Sequence, residues 1–234
     1  ILVKKTLKET KKNKIIFCGG VALNCKAITN VAKKNKKTLF LVPPSPGDSG
    51  SAIGAAVYAN YLKQKKLSFF HPSPFIGPDR KSLIDKKLFN LLFEKIGNEN
   101  QSNNLIHKFL SKGQIIATFL NQSEIGPRAL GNTSLICDGL NKKSIKDLNL
   151  KIKNRDFFQP LAPILLEKNF NKFFVKEKNI YNNHKWMGVL ALAKNKLYKK
   201  IKSVLHVDKT ARVQTVDKNY SIYRLLNYLD KNCH

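Results

Sequence analysis

The chain has 234 residues, 42% of them hydrophobic, which is enough for one large domain or two small ones with a buried core. Its 43 lysines and arginines stand against 15 aspartates and glutamates, a formal net charge of +28. No apolar run is long enough to cross a bilayer and no signal-peptide pattern is present, so the expectation is a cytoplasmic chain without a membrane partner.

Residues 15–18 read as a brief buried strand that runs into Gly19-Gly20-Val21-Ala22-Leu23-Asn24, and residues 26–34 then have helical spacing. Strand, paired glycines and helix is an order that suits a nucleotide. The glycines let a ligand approach backbone, and the helix start offers free N–H groups to a phosphate. Many tight turns also use a glycine pair. A strand at 38–42, the turn Pro43-Pro44-Ser45-Pro46-Gly47-Asp48-Ser49-Gly50 and a helix at 51–62 come next. Asp48 either caps that helix or faces a ligand or metal, and from the residues alone the cap is the simpler reading.

Periodicity stops over residues 64–80, where Pro72, Pro74, Gly77 and Pro78 place a domain boundary. The expected division is 1–64, a linker at 65–80, and 81–234. Residues 83–96 and 105–110 read as amphipathic helices separated by a polar loop at 99–104. Two β-prone runs, 114–120 and 133–137, then flank Glu124-Ile125-Gly126-Pro127-Arg128-Ala129-Leu130-Gly131-Asn132. Pro127 fixes its own torsion, while Gly126 and Gly131 permit torsions closed to other residues, so Arg128 is aimed. A guanidinium can grip a phosphate or carboxylate with two parallel bonds.

A helix at 144–153 with Ile145, Leu148 and Ile152 on one face delivers Lys153 and Arg155. These two cations either offset the helix dipole or converge with Arg128 on one anion. Phe170, Phe173 and Phe174 read as core. If residues 206–216 form a strand, then His206, Asp208, Thr210, Arg212 and Gln214 share one polar face, which lines a site or meets water. Arginine occurs only at 80, 128, 155, 212 and 224, so lysine is the default cation and arginine marks planar, two-pronged contacts. The lysine clusters at 33–37, 63–66 and 194–202 read as solvated helix faces; with no RNA-binding or zinc-finger signature, nucleic acid is not the expected partner. Cys18, Cys25, Cys137 and Cys233 have neither metal-ligand nor disulfide-framework spacing. His71, His107, His184 and His234 are isolated, and no Ser/His/Asp arrangement for nucleophilic catalysis emerges.

The stretches GGVALN at 19–24, PGDSGSAIGAA at 46–56, SEIGPRALGN at 123–132, KNRDFFQPLAP at 153–163 and HVDKTARVQTV at 206–216 span nearly the whole chain. In that order they resemble the ATP-dependent O-carbamoyltransferases that modify nodulation factors and antibiotics. The resemblance implies an α/β (α+β) chain: the closing part of an actin-like ATPase-type domain, then a domain similar to the threonylcarbamoyl-adenylate synthases. In such enzymes carbamoyl phosphate and ATP yield a carbamoyl-adenylate, whose carbamoyl group passes to a hydroxyl of the acceptor.

By resemblance, Arg128, Lys153 and Arg155 are catalytic and, with Arg212, hold carbamoyl phosphate and nucleotide phosphates. Asn132, Ser134, His206 and Asp208 complete the substrate side, and Gly19, Gly20, Asn24 and Gly50 contact the nucleotide. Asp48 becomes a metal ligand rather than a cap. The cofactors implied are ATP with Mg2+ and one divalent metal, iron among the candidates, shared with histidines outside this chain. A homodimer is compatible with this reading. Relative to the family pattern, Gln122, Thr133 and Gln159 replace arginines, Gly139-Leu140 replaces a Pro-Arg pair, and Lys209 replaces a glycine. The chain reads as part of a longer enzyme, inactive alone. The alternatives are a relative of the tRNA threonylcarbamoyl-transfer enzymes and a non-catalytic polyanion-binding remnant.

Overall fold

In a computed structural model, residues 1–66, 73–79, 85–180 and 183–232 are described. The expected linker and the start of the expected 83–96 helix fall partly outside them, and Arg80, His71, Cys233 and His234 fall wholly outside. Mixed helix and strand bear out the α/β class. Among the described residues, no helix is long and apolar enough to cross a membrane.

The first unit comprises α1 (Leu2–Thr10), β1 (Lys14–Ile16), α2 (Cys25–Lys34), β2 (Leu39–Leu41) and α3 (Asp48–Gln64). β1 and β2 pair in parallel, with Ile15 opposite Phe40, so the connection has to cross over and α2 supplies it. α2 is held at its start by Asn24, whose Oδ1 accepts from Ala27 N at 3.0 Å. It buries Cys25, Ile28, Thr29 and Ala32, spaced for one helical face. α3 begins at Asp48, not 51, with Gly47 as the cap residue and no side-chain bond to its first amides, so the simple capping role for Asp48 is not what forms.

Residues far along the chain complete this unit. Asn179 Nδ2 donates to the carbonyls of Ala32 (2.9 Å), Asn35 (3.2 Å) and Thr38 (3.2 Å). Asn183 Oδ1 accepts from Val42 N at 2.9 Å while its Nδ2 donates to Phe40 O at 3.1 Å. Trp186 Nε1 donates to Val42 O at 2.6 Å. The edge of β2 thus has its polar groups satisfied by Asn179, Asn183 and Trp186, through these side chains and through Phe40 N donating to Asn179 O at 2.8 Å, rather than by another long strand. Ala22, Ile28, Ala32, Phe40, Val42, Ile180 and Val189 close the apolar cluster beneath.

The remainder comprises β3 (Phe75–Asp79), α4 (Lys86–Leu92), α5 (Glu99–Ser111), β4 (Ile116–Phe119), β5 (Gln122–Glu124), β6 (Thr133–Ile136), α6 (Lys142–Asp147), β7 (Ile164–Leu166), α7 (Phe170–Phe173), β8 (Phe174–Val175), β9 (Ala191–Ala193), α8 (Tyr198–Ile201), β10 (Thr210–Ala211), β11 (Gln214–Val216) and α9 (Tyr223–Asn232). β4 and β6 are antiparallel from Ile116 opposite Ile136 to Phe119 opposite Thr133, and β3 pairs antiparallel with β5. β11 lies parallel to β7, and β9 sits between β8 and β10. Phe170 and Phe174 enter the core with Ile145, Ala191, Ala193, Ile201 and Val213, and Phe173 packs at its edge.

Three expectations are corrected. Residues 99–104 are not a loop: Asn98 Oδ1 accepts from Gln101 N (3.1 Å) and Gln101 Oε1 from Asn98 N (2.7 Å), a reciprocal cap that starts α5 at Glu99. The helix expected to run to 96 ends at Leu92. Residues 206–216 are not one strand: Lys209 adopts φ 62°, His206 N donates to Thr210 O across a turn, and only β10 and β11 are extended. The single polar face expected there therefore does not form.

Candidate functional site

The loop between β5 and β6 is built around a carboxylate. Glu124 Oε1 accepts from the amides of Leu130 (2.8 Å), Asn132 (2.8 Å) and Thr133 (3.0 Å), and Oε2 accepts from Thr133 N at 3.1 Å. Burial raises the Glu124 pKa, but the amides of Thr133, Leu130 and Asn132 outweigh it and leave the carboxyl below its ordinary 4.5. Gly126 at φ 101° and Gly131 at φ 105° take the left-handed torsions expected of them. Asn132 is buried with Nδ2 on Gln122 O at 2.7 Å, and Ser134 Oγ accepts from Gly131 N at 2.9 Å. Both expected substrate contacts thus help to form the loop, though Ser134 also lines the cavity described below.

The loop presents Arg128 half-buried, with Nη2 donating to Leu23 O at 3.3 Å and lying 3.8 Å from Cys25 Sγ. This ties the arginine to the turn that precedes α2. Arg155 arrives from a second wall. After α6 the chain passes into a π-helical turn, Leu148–Ile152, and Arg155 N returns to Asn149 O at 3.0 Å. Asn149 is fully buried, and its Oδ1 accepts from Arg155 Nε at 2.9 Å. Arg212 comes from the link between β10 and β11, with a buried Nε that finds no partner among the described residues. Burial, then the neighbouring Arg128 and Arg155, lower its pKa against the opposing pull of Cys25.

Arg128, Lys153, Arg155 and Arg212 all line one cavity of about 480 Å³, and no carboxylate lines it with them among the described residues. That volume is within the range of small-molecule sites. Its lining also has an apolar part, from Leu135, Leu161, Leu165, Phe174 and Val204. Cations gathered on one cavity without a counter-charge, three of them half-buried arginines and one the exposed Lys153, suit a multiply charged anion, because the repulsion that the ligand relieves is already built in. His206 and Asp208 are not in the lining. Asp208 accepts from Thr210 Oγ1 at 2.6 Å and pairs with Lys26 at 3.3 Å, and burial lowers the His206 pKa, with Arg212 and Lys26 reinforcing the effect against Asp208.

On the first unit, Gly19 takes φ 89°, and a Cβ added to it or to Gly20 would meet no atom within 4 Å, so that face is open. Gly19 N donates to Pro46 O at 2.6 Å, which brings the paired glycines beside the start of α3, where Asp48 is exposed. Gly50 serves packing: a Cβ there would collide with the carbonyl oxygen of Ser45. No group of three His, Cys, Asp or Glu suited to a metal occurs among the described residues. One exposed carboxylate does not make a divalent-metal site, which takes several oxygen ligands, so these residues do not account for the implied metal.

Sequence reasoning does not single out Glu124 or Asn149. Their only signals are an acid in a strongly cationic chain and an asparagine flanked by Leu148 and Leu150.

A family model described as Carbamoyltransferase C-terminus matches residues 107–234, more than half of the chain, and one described as Carbamoyltransferase N-terminus matches residues 1–57. An uncharacterized protein of Methanocaldococcus jannaschii is 30% identical over 92% of this chain and 36% of its own length. Nodulation protein NolNO of Sinorhizobium fredii is 28% identical over 88% and 31%. The 3'-hydroxymethylcephem-O-carbamoyltransferase of Streptomyces clavuligerus is 29% identical over 91% and 39%. The chain thus spans less than two-fifths of the length of each of these three relatives. With both family models matched in order along it, the chain belongs to the carbamoyltransferase family.

Proposed function

We propose that this chain carries the carbamoyl phosphate and nucleotide phosphate sites of an ATP-dependent O-carbamoyltransferase. The supporting observation is the carboxylate-free cavity lined by Arg128, Lys153, Arg155 and Arg212. Water releases phosphate from carbamoyl phosphate to leave carbamate, and a carbamate oxygen bonds to the α-phosphorus of ATP as pyrophosphate leaves. A hydroxyl oxygen of the acceptor then bonds to the carbamoyl carbon of the carbamoyl-adenylate, losing its proton, as AMP leaves. Each step moves negative charge among phosphate oxygens, and fixed cations in a low-dielectric pocket stabilise such charge more than mobile surface lysines do. Arg128, spending one Nη on Leu23 O, and Arg155, spending its Nε on Asn149, each retain N–H groups for a phosphate.

The cavity's apolar wall suits the uncharged carbamoyl end, while its cations take the phosphate end. The open face at Gly19, Gly20 and Asn24 belongs to the nucleotide in this reading, and Asp48 contributes at most one ligand to a metal. The acceptor is a hydroxyl-bearing small molecule or glycan of a biosynthetic pathway.

Calorimetric titration of the full chain with carbamoyl phosphate at fixed salt tests the reading. Arg128→Ala and Arg155→Ala should each weaken binding about tenfold or more, since each removes charged hydrogen bonds of about 1.5–3 kcal/mol. A folded wild-type chain that ignores carbamoyl phosphate but binds nucleic acid with a steep salt dependence would favour polyanion binding instead.

A further inference from the structure

The π-helical turn Leu148–Ile152 carries Asn149 at zero exposure, where an asparagine has to find partners for both ends of its amide. It finds them in the next segment of the chain. Its Nδ2 donates to Phe157 O at 3.2 Å and Gln159 O at 2.8 Å, and its Oδ1 accepts from Arg155 Nε at 2.9 Å. Its backbone carbonyl accepts from Arg155 N at 3.0 Å. Four bonds from one buried residue therefore define the path of residues 155–159. Between the π-helical turn and Arg155, Asn154 takes φ 45°, a torsion that asparagine tolerates better than most side chains.

The consequence is a choice of guanidinium edge. A guanidinium offers five N–H groups in a rigid fork. With Nε committed to Asn149, the side edge is occupied, and neither Nη has a protein partner among the described residues. Arg155 lines the cavity, and the Nη1–Nη2 pair is the part of its guanidinium left uncommitted. The π-helical turn follows directly on α6, and π-helical turns are frequent at functional sites.

We propose that Asn149 is a positioning residue that fixes Arg155 for end-on, two-pronged contact with a phosphate. The inference rests on the anion-site reading given above, and its test separates the two. Carbamoyl phosphate affinity is measured by calorimetry on the full chain for wild type, Asn149→Ala, Arg155→Ala and the double variant, with Arg128→Ala and its double variant as reference. Acting through Arg155, Asn149→Ala should weaken binding about tenfold in the wild-type background and by less than about twofold once Arg155 is gone, a non-additivity expected only of coupled groups. On the Arg128→Ala background it should keep its full effect. Equal losses on both backgrounds would assign Asn149 a general structural role and overturn the inference. Unchanged affinity in Arg155→Ala would instead overturn the anion-site reading.

A second readout uses the wild-type chain and does not depend on any Asn149 variant folding. The Nε–H of Arg155, assigned in nitrogen-15 spectra by its disappearance in Arg155→Lys, should exchange slowly with water without ligand. Exchange as fast as that of exposed Arg224 would show that Asn149 does not hold it.

Discussion

Replacing Glu124 by glutamine keeps the size of the side chain and removes one charge and one acceptor. The native carboxylate takes four contacts from three amides, at 2.8 Å (Leu130), 2.8 Å (Asn132), and 3.0 and 3.1 Å (Thr133). A carboxamide turned to keep its oxygen on Leu130 and Asn132 points its NH2 at Thr133 N–H, donor against donor. The surviving bonds lose their charge assistance, passing from about 1.5–3 to about 0.5–1.5 kcal/mol each. Because the carboxylate is only half-buried and water screens it, the low end applies, a loss of about 2 kcal/mol. For a chain of this size that is about 4–8 °C in Tm. The loss should depend on pH. The native amides hold the Glu124 carboxyl below its ordinary 4.5, so its contribution is whole above that value and disappears as the pH falls through the native pKa. Urea unfolding followed by Trp186 fluorescence should therefore show a gap between wild type and variant that narrows from about pH 7 to about pH 3. Equal urea midpoints at neutral pH, or a gap indifferent to acid, would refute the role of Glu124 as the anchor of the arginine loop.

Gly131→Ala should destabilise by about 1–3 kcal/mol, since φ 105° disfavours any side chain and a Cβ would lie 2.9 Å from Ile222 Cγ2. Urea midpoints check this against Gly19→Ala, which shares the torsional strain at φ 89° but meets nothing within 4 Å and so should lose less. His184, buried with its ring 4.6 Å from that of Phe170, has its pKa lowered from 6.5 to about 4 by burial and, secondarily, by Lys176. The unfolded imidazole takes a proton below about pH 6.5 and the folded one resists it, so wild-type stability should fall between these two values by up to about 1.4 kcal/mol per pH unit. His184→Gln should flatten that slope, and equal slopes in the two proteins would show that His184 does not titrate as its burial demands.

What could be read from the sequence is what local chemistry encodes. The β-prone runs around the central loop become β4 and β6, and the glycines at 126 and 131 take the torsions for which only glycine is well suited. The parallel pair β1–β2 with its crossover helix follows from two short apolar runs and the helical spacing between them. The failures are of another kind. The start of α5 depends on one reciprocal cap, Asn98 with Gln101, inside a polar stretch whose composition otherwise resembles a loop. The break at 206–209 depends on Lys209 accepting a left-handed torsion where alternation alone suggests a continuous strand. Asn179 and Asn183 join carbonyls and amides about 140 positions away, and no periodicity marks such a bond in advance. Glu124 and Asn149 escape sequence reasoning for the same reason: each turns its polar atoms to the chain around a cation, Glu124 to the amides of the Arg128 loop and Asn149 to the backbone and guanidinium of the Arg155 segment, rather than to a ligand.

The two kinds of cation in this chain do different physical work. Most of the described lysines behind the +28 charge are exposed, where salt screens them beyond about 8 Å at physiological ionic strength. Their field draws anions of any shape and cannot select one. Arg128, Arg155 and Arg212 are half-buried, burial and then the nearby Arg128 and Arg155 depress the pKa of Arg212, and Arg128 and Arg155 each spend an N–H on a fixed protein acceptor. Such groups are screened less and cannot turn aside to solvent, so an anion has to match their geometry as well as their charge. If the cavity takes a phosphate as proposed, its selectivity depends on the neutral and acidic residues that aim the arginines. A substitution that leaves every arginine in place but removes Glu124 or Asn149 should then weaken carbamoyl phosphate binding more than the loss of a surface lysine does.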